Sequence, residues 1–568
     1  FERLGEGASA RITVITPNRR LATALVAEFD AFQQARGMVG WETADVLPQG
    51  SFIERLYEDA LYSGASSALR LPALLAPAQE QLLWEDIIAA SEWGGTLFVP
   101  ARTAEDARKA WMLAHQWRMD GMLGRFPGNE DAAAFAAWAE HYRRRTAEQR
   151  QTEAARLPDL MATLLQEPGL HRPDTLVLYA FDILTPQLAF FLSACAASGT
   201  RILQCRAERR EAQPMRWPLP SACAELENAA AWARARLEAA IVSAVPVRIG
   251  IVVPDIEQRR KQVLRIFSRA LRPDFDLPGA AATALPFNLS LGLPLTQYPL
   301  IHAALGVLAL AQGSVDFALA SRLLRSPFIG GARSEAMACA RLDAALRRIA
   351  PPRLGLAKLI AATGATGILP PLLSARLRAL FETAQAQTKE GTRRAPHDWA
   401  GRYSALLKAA GFPGERPLDS MEFQTLGKWN EVLAQFGALS RVSPAMSAQD
   451  ALARLTRLCA DTLFQAESKS APIQVLGVLE SAGLGFDHLW ICGLTDEAWP
   501  LAARPHPFIP PALQKKAGVP EASAETALEL DRRITAGWLG AAAEVVISHP
   551  LREDDRELSP SPLITVIP

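Results

Sequence analysis

The sequence predicts an α/β protein built on two parallel-sheet cores, each split by a large α-helical insertion. Three observations carry that expectation. Short β-branched runs that end in a turn and lead into a helical face occur at Ile12–Ile15, Thr175–Phe181 and Arg248–Val253. Two long intervals, 65–170 and 295–465, repeat apolar residues at helical spacing without a convincing strand. From Ile473 onward the strand-and-helix pattern returns.

Ile12–Ile15 ends at Thr16-Pro17-Asn18, after which Leu21, Ala22, Leu25, Val26, Phe29 and Phe32 mark one face of a helix. Thr16 reads as its N-cap, with Pro17 in the first helical position. Thr175–Phe181 passes through Asp182-Ile183-Leu184 to Thr185-Pro186 and a helical run to Ala197. Arg201–Gln204 reads as a further strand, and Pro214, Pro218 and Pro220 mark a boundary. A second α/β core then begins near residue 216, with helix Ala224–Ala240, strand Arg248–Val253 and helix Ile256–Leu271. Its remainder is Ile473–Leu479, the turn Gly483-Leu484-Gly485, Leu489–Gly493, helix Ala524–Leu539 and strand Val545–Ser548. The expected organisation is therefore one core from 1–64 and 171–215 with insertion 65–170, and a second from 216–294 and 466–568 with insertion 295–465.

Sixty basic and sixty acidic residues give a formal charge of zero, so any nucleic-acid binding must use local grooves rather than a whole-molecule field. A hydrophobic content of 49% with 21% charged residues excludes an intrinsically disordered chain. The basic residues are 51 Arg against 9 Lys, a bias that genome composition produces as readily as phosphate recognition. Six scattered cysteines contain no C-x-x-C and no zinc spacing, which argues against disulfide scaffolding and a metal site. The longest apolar stretch, Tyr298–Ala311, is interrupted by His302 and falls short of the ~20 residues of a membrane span. No signal peptide is visible, so a cytoplasmic protein without membrane partners is expected.

The stretch Gly477–Pro500, GVLESAGLGFDHLWICGLTDEAWP, matches without a gap a helicase pattern of the form TxHxxKGLEFxxVFIxGLxxGxFP. It resembles the motif V region of superfamily 1 helicases of the UvrD/RecB/AddB kind. RIGIVVPDIEQRRKQVLRIF (Arg248–Phe267) and LSLGLPLTQYPLIHAALGVLALA (Leu289–Ala311) are similar to the second motor domain and the start of its 2B insertion. The opening RITVITPNRRLATAL, the FDILTPQ segment and the closing SPSPLI are similar to AddB-like and RecB-like helicase–nuclease chains. The resemblance implies two RecA-like domains, 1A and 2A, with 1B and 2B insertions. It also implies DNA, single-stranded or forked, as partner, together with a C-terminal PD-(D/E)XK nuclease domain or a helicase or nuclease subunit.

Departures from that family cluster at the nucleotide. No G-x-x-x-x-G-K-[ST] loop occurs, and Pro17 removes a donor where backbone N–H groups would wrap phosphates. Asp182 lacks the adjacent acid that would help organise Mg²⁺. In the motif V match, the family's lysine falls on Ala482 and its nucleotide-contacting glutamate on Gly485. The helix DRRITAGWLGAA resembles motif VI, and its arginine-finger position is Ala541. A finger is commonly worth roughly 10³ to 10⁵ in rate, so no ATP hydrolysis, catalytic residue, cofactor or metal is expected.

Asn18, Arg19 and Arg20 open a helix at a strand end and are candidates for a phosphate contact or a solvated first turn. Gly483 and Trp499 are candidates in the motif V loop, with Trp499 either stacking on bases or packing in the core. Trp490, between Leu489 and Ile491, reads as core. The clusters Arg143-Arg144-Arg145, Arg259-Arg260-Lys261 and Arg393-Arg394 read as exposed helix faces. Glu467-Ser468-Lys469 mimics a nuclease E-x-K but ends a helical run before Pro472. The leading expectation is a catalytically inactive helicase-like module that guides DNA for a nuclease. The alternatives are a protein-interaction scaffold without DNA or ATP binding, and an active motor with an unconventional ATP site.

Overall fold

The computed structural model describes residues 1–63, 70–96, 99–126, 128–167, 170–277, 285–290, 292–331, 333–388, 393–466 and 471–568. The chain forms two compact units: Phe1–Leu75, Leu83–Leu291 and Ser470–Pro568 make one, and Ala76–Leu82 with Gly292–Lys469 the other. The first is mixed α/β and the second mainly helical.

The α/β unit contains two wholly parallel sheets. In the first, β1 (Ile12–Thr16), β2 (Val46–Pro48), β3 (Thr175–Tyr179) and β4 (Arg201–Cys205) lie in the order β2-β1-β3-β4. In the second, β5 (Gln213–Leu219), β6 (Ile249–Val252), β7 (Phe287–Leu289), β8 (Ile473–Leu476), β9 (His488–Ile491) and β10 (Glu544–Pro550) lie in the order β5-β10-β9-β6-β8-β7. Continuous apolar runs suit strands covered on both faces. Ile249 and Ile251 face one core with Trp490 and Val546, while Val252, Leu489 and Ile491 face another. The first sheet is packed by α1 (Arg19–Ala35) and α2 (Pro186–Ala197), and the first core of the second sheet is covered by α3 (Ala222–Ser243) and α4 (Ile256–Leu271).

Two departures from the sequence reading concern boundaries. Pro214 and Pro218, read as a linker, lie inside β5. Among the described residues that strand pairs with β10 alone, at the sheet's edge, where proline's missing N–H does least harm. The second sheet therefore begins at Gln213 rather than near 216. Ala76–Leu82, expected in the first insertion, clusters instead with the helical unit, where Leu82 joins the core and Gln79 donates to the Ala438 carbonyl at 2.8 Å.

Helices Pro77–Ala89, Pro100–Gln116 and Glu130–Glu148 carry the aromatic cluster of the first insertion. Trp84 stacks on Tyr142 with ring centroids 4.3 Å apart. Trp111 donates to buried Glu153 at 2.8 Å, and Arg156 neutralises that carboxylate. The helical unit has one core in which Trp399, Tyr403, Trp429 and Phe436 meet aliphatic side chains of Pro299–Gln312.

The second sheet also buries a carboxylate. Glu225, at the start of α3, accepts from the Gly493 N–H at 2.7 Å and from the Ser548 hydroxyl at 2.5 Å, leaving Oε2 without a partner. Burial pushes its carboxyl up to about 7, against the opposing pull of those two donors. The folded protein therefore holds a proton that the unfolded chain releases near its ordinary value of 4.5, so this contribution to stability is present at low pH and lost as pH rises toward 7. Melting followed between pH 5 and pH 8 should show Glu225→Gln losing less stability on going alkaline than wild type. Parallel curves for the two proteins would refute this.

Candidate nucleotide cleft and nucleic-acid surface

The turn after β1 is short. Thr16 ends the strand and α1 (Arg19–Ala35) begins at Arg19, so only Pro17 and Asn18 connect them. Asn18 rather than Thr16 is the N-cap. Its side-chain oxygen accepts from the Leu21 N–H at 2.9 Å, while the Thr16 hydroxyl donates to the Asn18 carbonyl at 2.8 Å. The shorter reach of Thr16 is used within the turn, and Pro17 lies outside the helix as an exposed residue. Asn18's side-chain oxygen is thereby committed to its own helix. Arg19 is exposed, whereas Arg20 is half-buried, and burial lowers its pKa while Glu480 opposes that shift.

Glu480 lies on the single helical turn Val478–Ser481 after β8, from which a loop runs on to β9. This loop lies where the two sheets meet. Gly483 has φ +75°, and a Cβ there would stand 2.8 Å from the Ala180 Cβ and 3.2 Å from Leu21 Cδ2. Only glycine combines that backbone with that approach. Ala180, just past β3, is itself left-handed at φ 55°. Leu484 and Phe486 are buried in the same apolar cluster as Val14, Leu21 and Leu25, so residues of both sheets share one core. Gly250 permits Phe486 to lie flat on β6, since a Cβ there would be 3.0 Å from its ring.

The helix α5 (Ala524–Leu539) closes this site. Trp538 donates to the Ser481 hydroxyl at 2.8 Å, and Trp499 donates to Thr535 at 3.0 Å. The Leu501 N–H donates to buried Asp531 at 2.6 Å. Trp499 is 0% exposed and packs on Trp538, with ring centroids 5.1 Å apart. A ring so placed offers no face to a base, and of the two readings of Trp499 the geometry is that of core. Trp490 is likewise fully buried.

Four of the positions that depart from the helicase pattern, Asp182, Ala482, Gly485 and Ala541, lie together. The Phe486 N–H donates to the Ala541 carbonyl at 2.8 Å, and Gly485 lies against that same carbonyl. That hydrogen bond lies just before the paired β9 and β10, and a side chain at Gly485 would meet nothing nearer than the Ala541 carbonyl at 4.0 Å, so the glutamate and arginine that the resemblance implies are missing by residue type alone. Ala482 lies beside them, lining a cleft of about 430 Å³ with Gly483, Asp182 and Ala541. Asp182 is exposed and has no adjacent acid, and its carbonyl accepts from Arg533 at 3.1 Å. Among the described residues no three His, Cys, Asp or Glu side chains converge as metal ligands. A two-residue turn, a lone exposed carboxylate and a wall with alanine, glycine and alanine at 482, 485 and 541 do not fit a Mg²⁺-bound triphosphate.

The sequence reading passed over the arginines of this cleft. Arg206 and Arg209, from the segment linking the two sheets, and Arg533 on α5 line it alongside Asp182 and Glu208. Arg210 ties the segment down through Phe486 and Asp487, at 2.7 and 3.0 Å. The dense string RAERR at 206–210 was the available signal. Elsewhere, Arg143 pairs with Glu140 and Arg145 with Asp86, and Arg259 pairs with Asp255 and Glu553, as solvated helix faces do. Arg393 donates to the Ala445 carbonyl at 2.9 Å. Glu467-Ser468-Lys469 lies outside the described residues. No helix of the described residues is long and apolar enough to cross a membrane. No protein-family model matches the chain, and no curated protein matches it.

Replacing Gly483 tests the junction. Gly483→Val combines a left-handed backbone cost of about 1–2 kcal/mol with overpacking of about 1–3 kcal/mol. Urea unfolding should register a loss of about 2–5 kcal/mol, and a wild-type midpoint would mean that the loop does not hold the sheets in this contact.

Proposed function

We propose that the chain is a helicase-like module that no longer hydrolyses ATP and that binds or guides DNA as a scaffold for an associated nuclease. On this reading the two parallel sheets descend from RecA-like domains 1A and 2A, and the helical segments from 1B and 2B. One observation carries the proposal: at the resemblance's nucleotide site, the Gly483–Phe486 loop packs against Ala180, Leu21 and the Ala541 carbonyl. A cleft held in this way, with Ala482, Gly485 and Ala541 in place of lysine, glutamate and arginine, lacks the groups that grip a triphosphate, while exposed Arg19, Arg206, Arg209 and Arg533 remain for phosphodiester contacts.

A second reading, a protein-interaction scaffold without DNA, draws support from the zero net charge and from Ile241, Val242 and Val245. These residues at the end of α3 are 69%, 89% and 60% exposed. DNA titration separates the two. Labelled single-stranded and forked DNA should bind the protein and weaken steeply between two salt concentrations, and absence of salt-dependent binding would favour the scaffold. ATP turnover should stay at background with and without DNA. DNA-stimulated hydrolysis that disappears in Asp182→Ala would overturn the proposal.

A further inference from the structure

The helical unit carries its own concentration of positive charge. Between Phe317 and Ile349 the chain has six arginines, Arg322, Arg325, Arg333, Arg341, Arg347 and Arg348, against two acids, Glu335 and Asp343. Glu335 is committed to the main chain, accepting from the Leu372 and Leu373 N–H groups at 2.8 and 2.9 Å. Asp343 is buried on the helix Ala336–Ile349, and its Oδ2 holds Arg325 at 3.2 Å and Arg347 at 3.0 Å. Ser321, also buried, accepts from Nη2 of both arginines, at 3.2 and 2.9 Å. Its carbonyl takes Arg325 Nε at 3.2 Å.

Two guanidinium groups, one from the end of the helix Phe317–Leu324 and one from Ala336–Ile349, are thus fixed side by side while their side chains remain 47% and 54% exposed. Their Nη1 groups have no partner among the described residues. One carboxylate against two guanidiniums leaves an uncompensated positive charge, which exposed Arg322 and Arg348 enlarge. Neutralising buried Asp343 requires one arginine, and a second on the same acid adds like-charge repulsion. With Nε and Nη2 of each guanidinium held from behind, the two Nη1 groups are left to donate outward, and a phosphate can accept from both at once.

We propose that Arg325 and Arg347 form a clip for the phosphodiester backbone of a nucleic-acid strand, with Arg322 and Arg348 extending the track. This inference rests on the DNA-binding reading and names a contact surface for it in the helical unit. Buried Asp343 and Ser321 act as positioning residues.

The test is fluorescence anisotropy of a labelled single-stranded oligonucleotide titrated with the full chain at two salt concentrations. Arg325→Gln with Arg347→Gln should weaken binding roughly tenfold at the lower salt. It should also reduce the logarithmic salt slope by about 1.4, or two contacts at ~0.7 each. Because that variant leaves Asp343 buried without its partners, Arg322→Gln with Arg348→Gln, at exposed unpaired positions, provides a change that spares the fold. It too should weaken binding and flatten the slope, with urea unfolding confirming folded protein. Wild-type affinity and slope in the folded variants would overturn the clip and leave the DNA reading standing. Absence of binding by the wild-type chain would remove the DNA reading and the clip together. Polyglutamate of matched charge that displaces the oligonucleotide as well as unlabelled DNA does would overturn the assignment to phosphodiesters.

Discussion

The contact of the Gly483 loop with Ala180 and Leu21 is the constraint on which the α/β unit depends. It joins the carboxyl end of β3 to the turn after β8, and it requires a left-handed backbone on both sides of the junction. Ala180 bears that conformation at a cost of about 1–2 kcal/mol, and Gly483 bears it without a side-chain penalty. In return, Leu21, Leu25, Leu484, Phe486 and Trp538 share one apolar cluster. Fully burying such a side chain is worth about 1.5–3 kcal/mol, so the strain of one alanine is small against the packing it permits.

The same contact governs the chemistry available at the strand ends. Ligands of open parallel sheets lie outside the carboxyl ends of the strands, where free N–H groups and side chains converge. Here the turns after β1 and β8 are engaged by the protein itself: Asn18 caps its own helix, and Ser481 receives Trp538. What remains open is lined by arginines from the segment after β4 and from α5. The cleft is suited to holding an anion at its rim more than to enclosing one.

Strands with buried branched residues were legible in the sequence because a parallel sheet covered on both faces imposes an apolar run. Ile249–Val252 and His488–Ile491 needed no partner information to be found. β5 was not legible, since Pro214 and Pro218 signal a break unless one knows that the strand lies at an edge. The N-cap was displaced by two residues because threonine and asparagine both cap, and the choice between Thr16 and Asn18 is made by where the strand releases the chain. Trp499 left two readings open because an indole beside a proline at a strand exit is equally suited to a groove or a core. Thr535, four residues from Asp531 on α5, decides it. The Arg325–Asp343–Arg347 arrangement was invisible, because arginines spread over two helices read as ordinary solvated faces until one buried carboxylate is seen to hold both.

Zero net charge describes the whole chain and conceals how the charges are deployed. Several acids are drawn inward: Glu153 serves Trp111 and Arg156, Glu225 serves Gly493 and Ser548, and Asp343 serves two arginines. An acid committed to the interior no longer screens the surface, so equal numbers of each sign leave positive patches where the acids have been buried. At physiological ionic strength a charge is felt over about 8 Å, a distance at which a local patch matters and the molecular sum does not. A chain that guides a phosphodiester strand without nucleotide-driven closure would need this combination: sheets held by a shared apolar core, and short-range positive surfaces whose hold on the strand is weak enough to be released by salt.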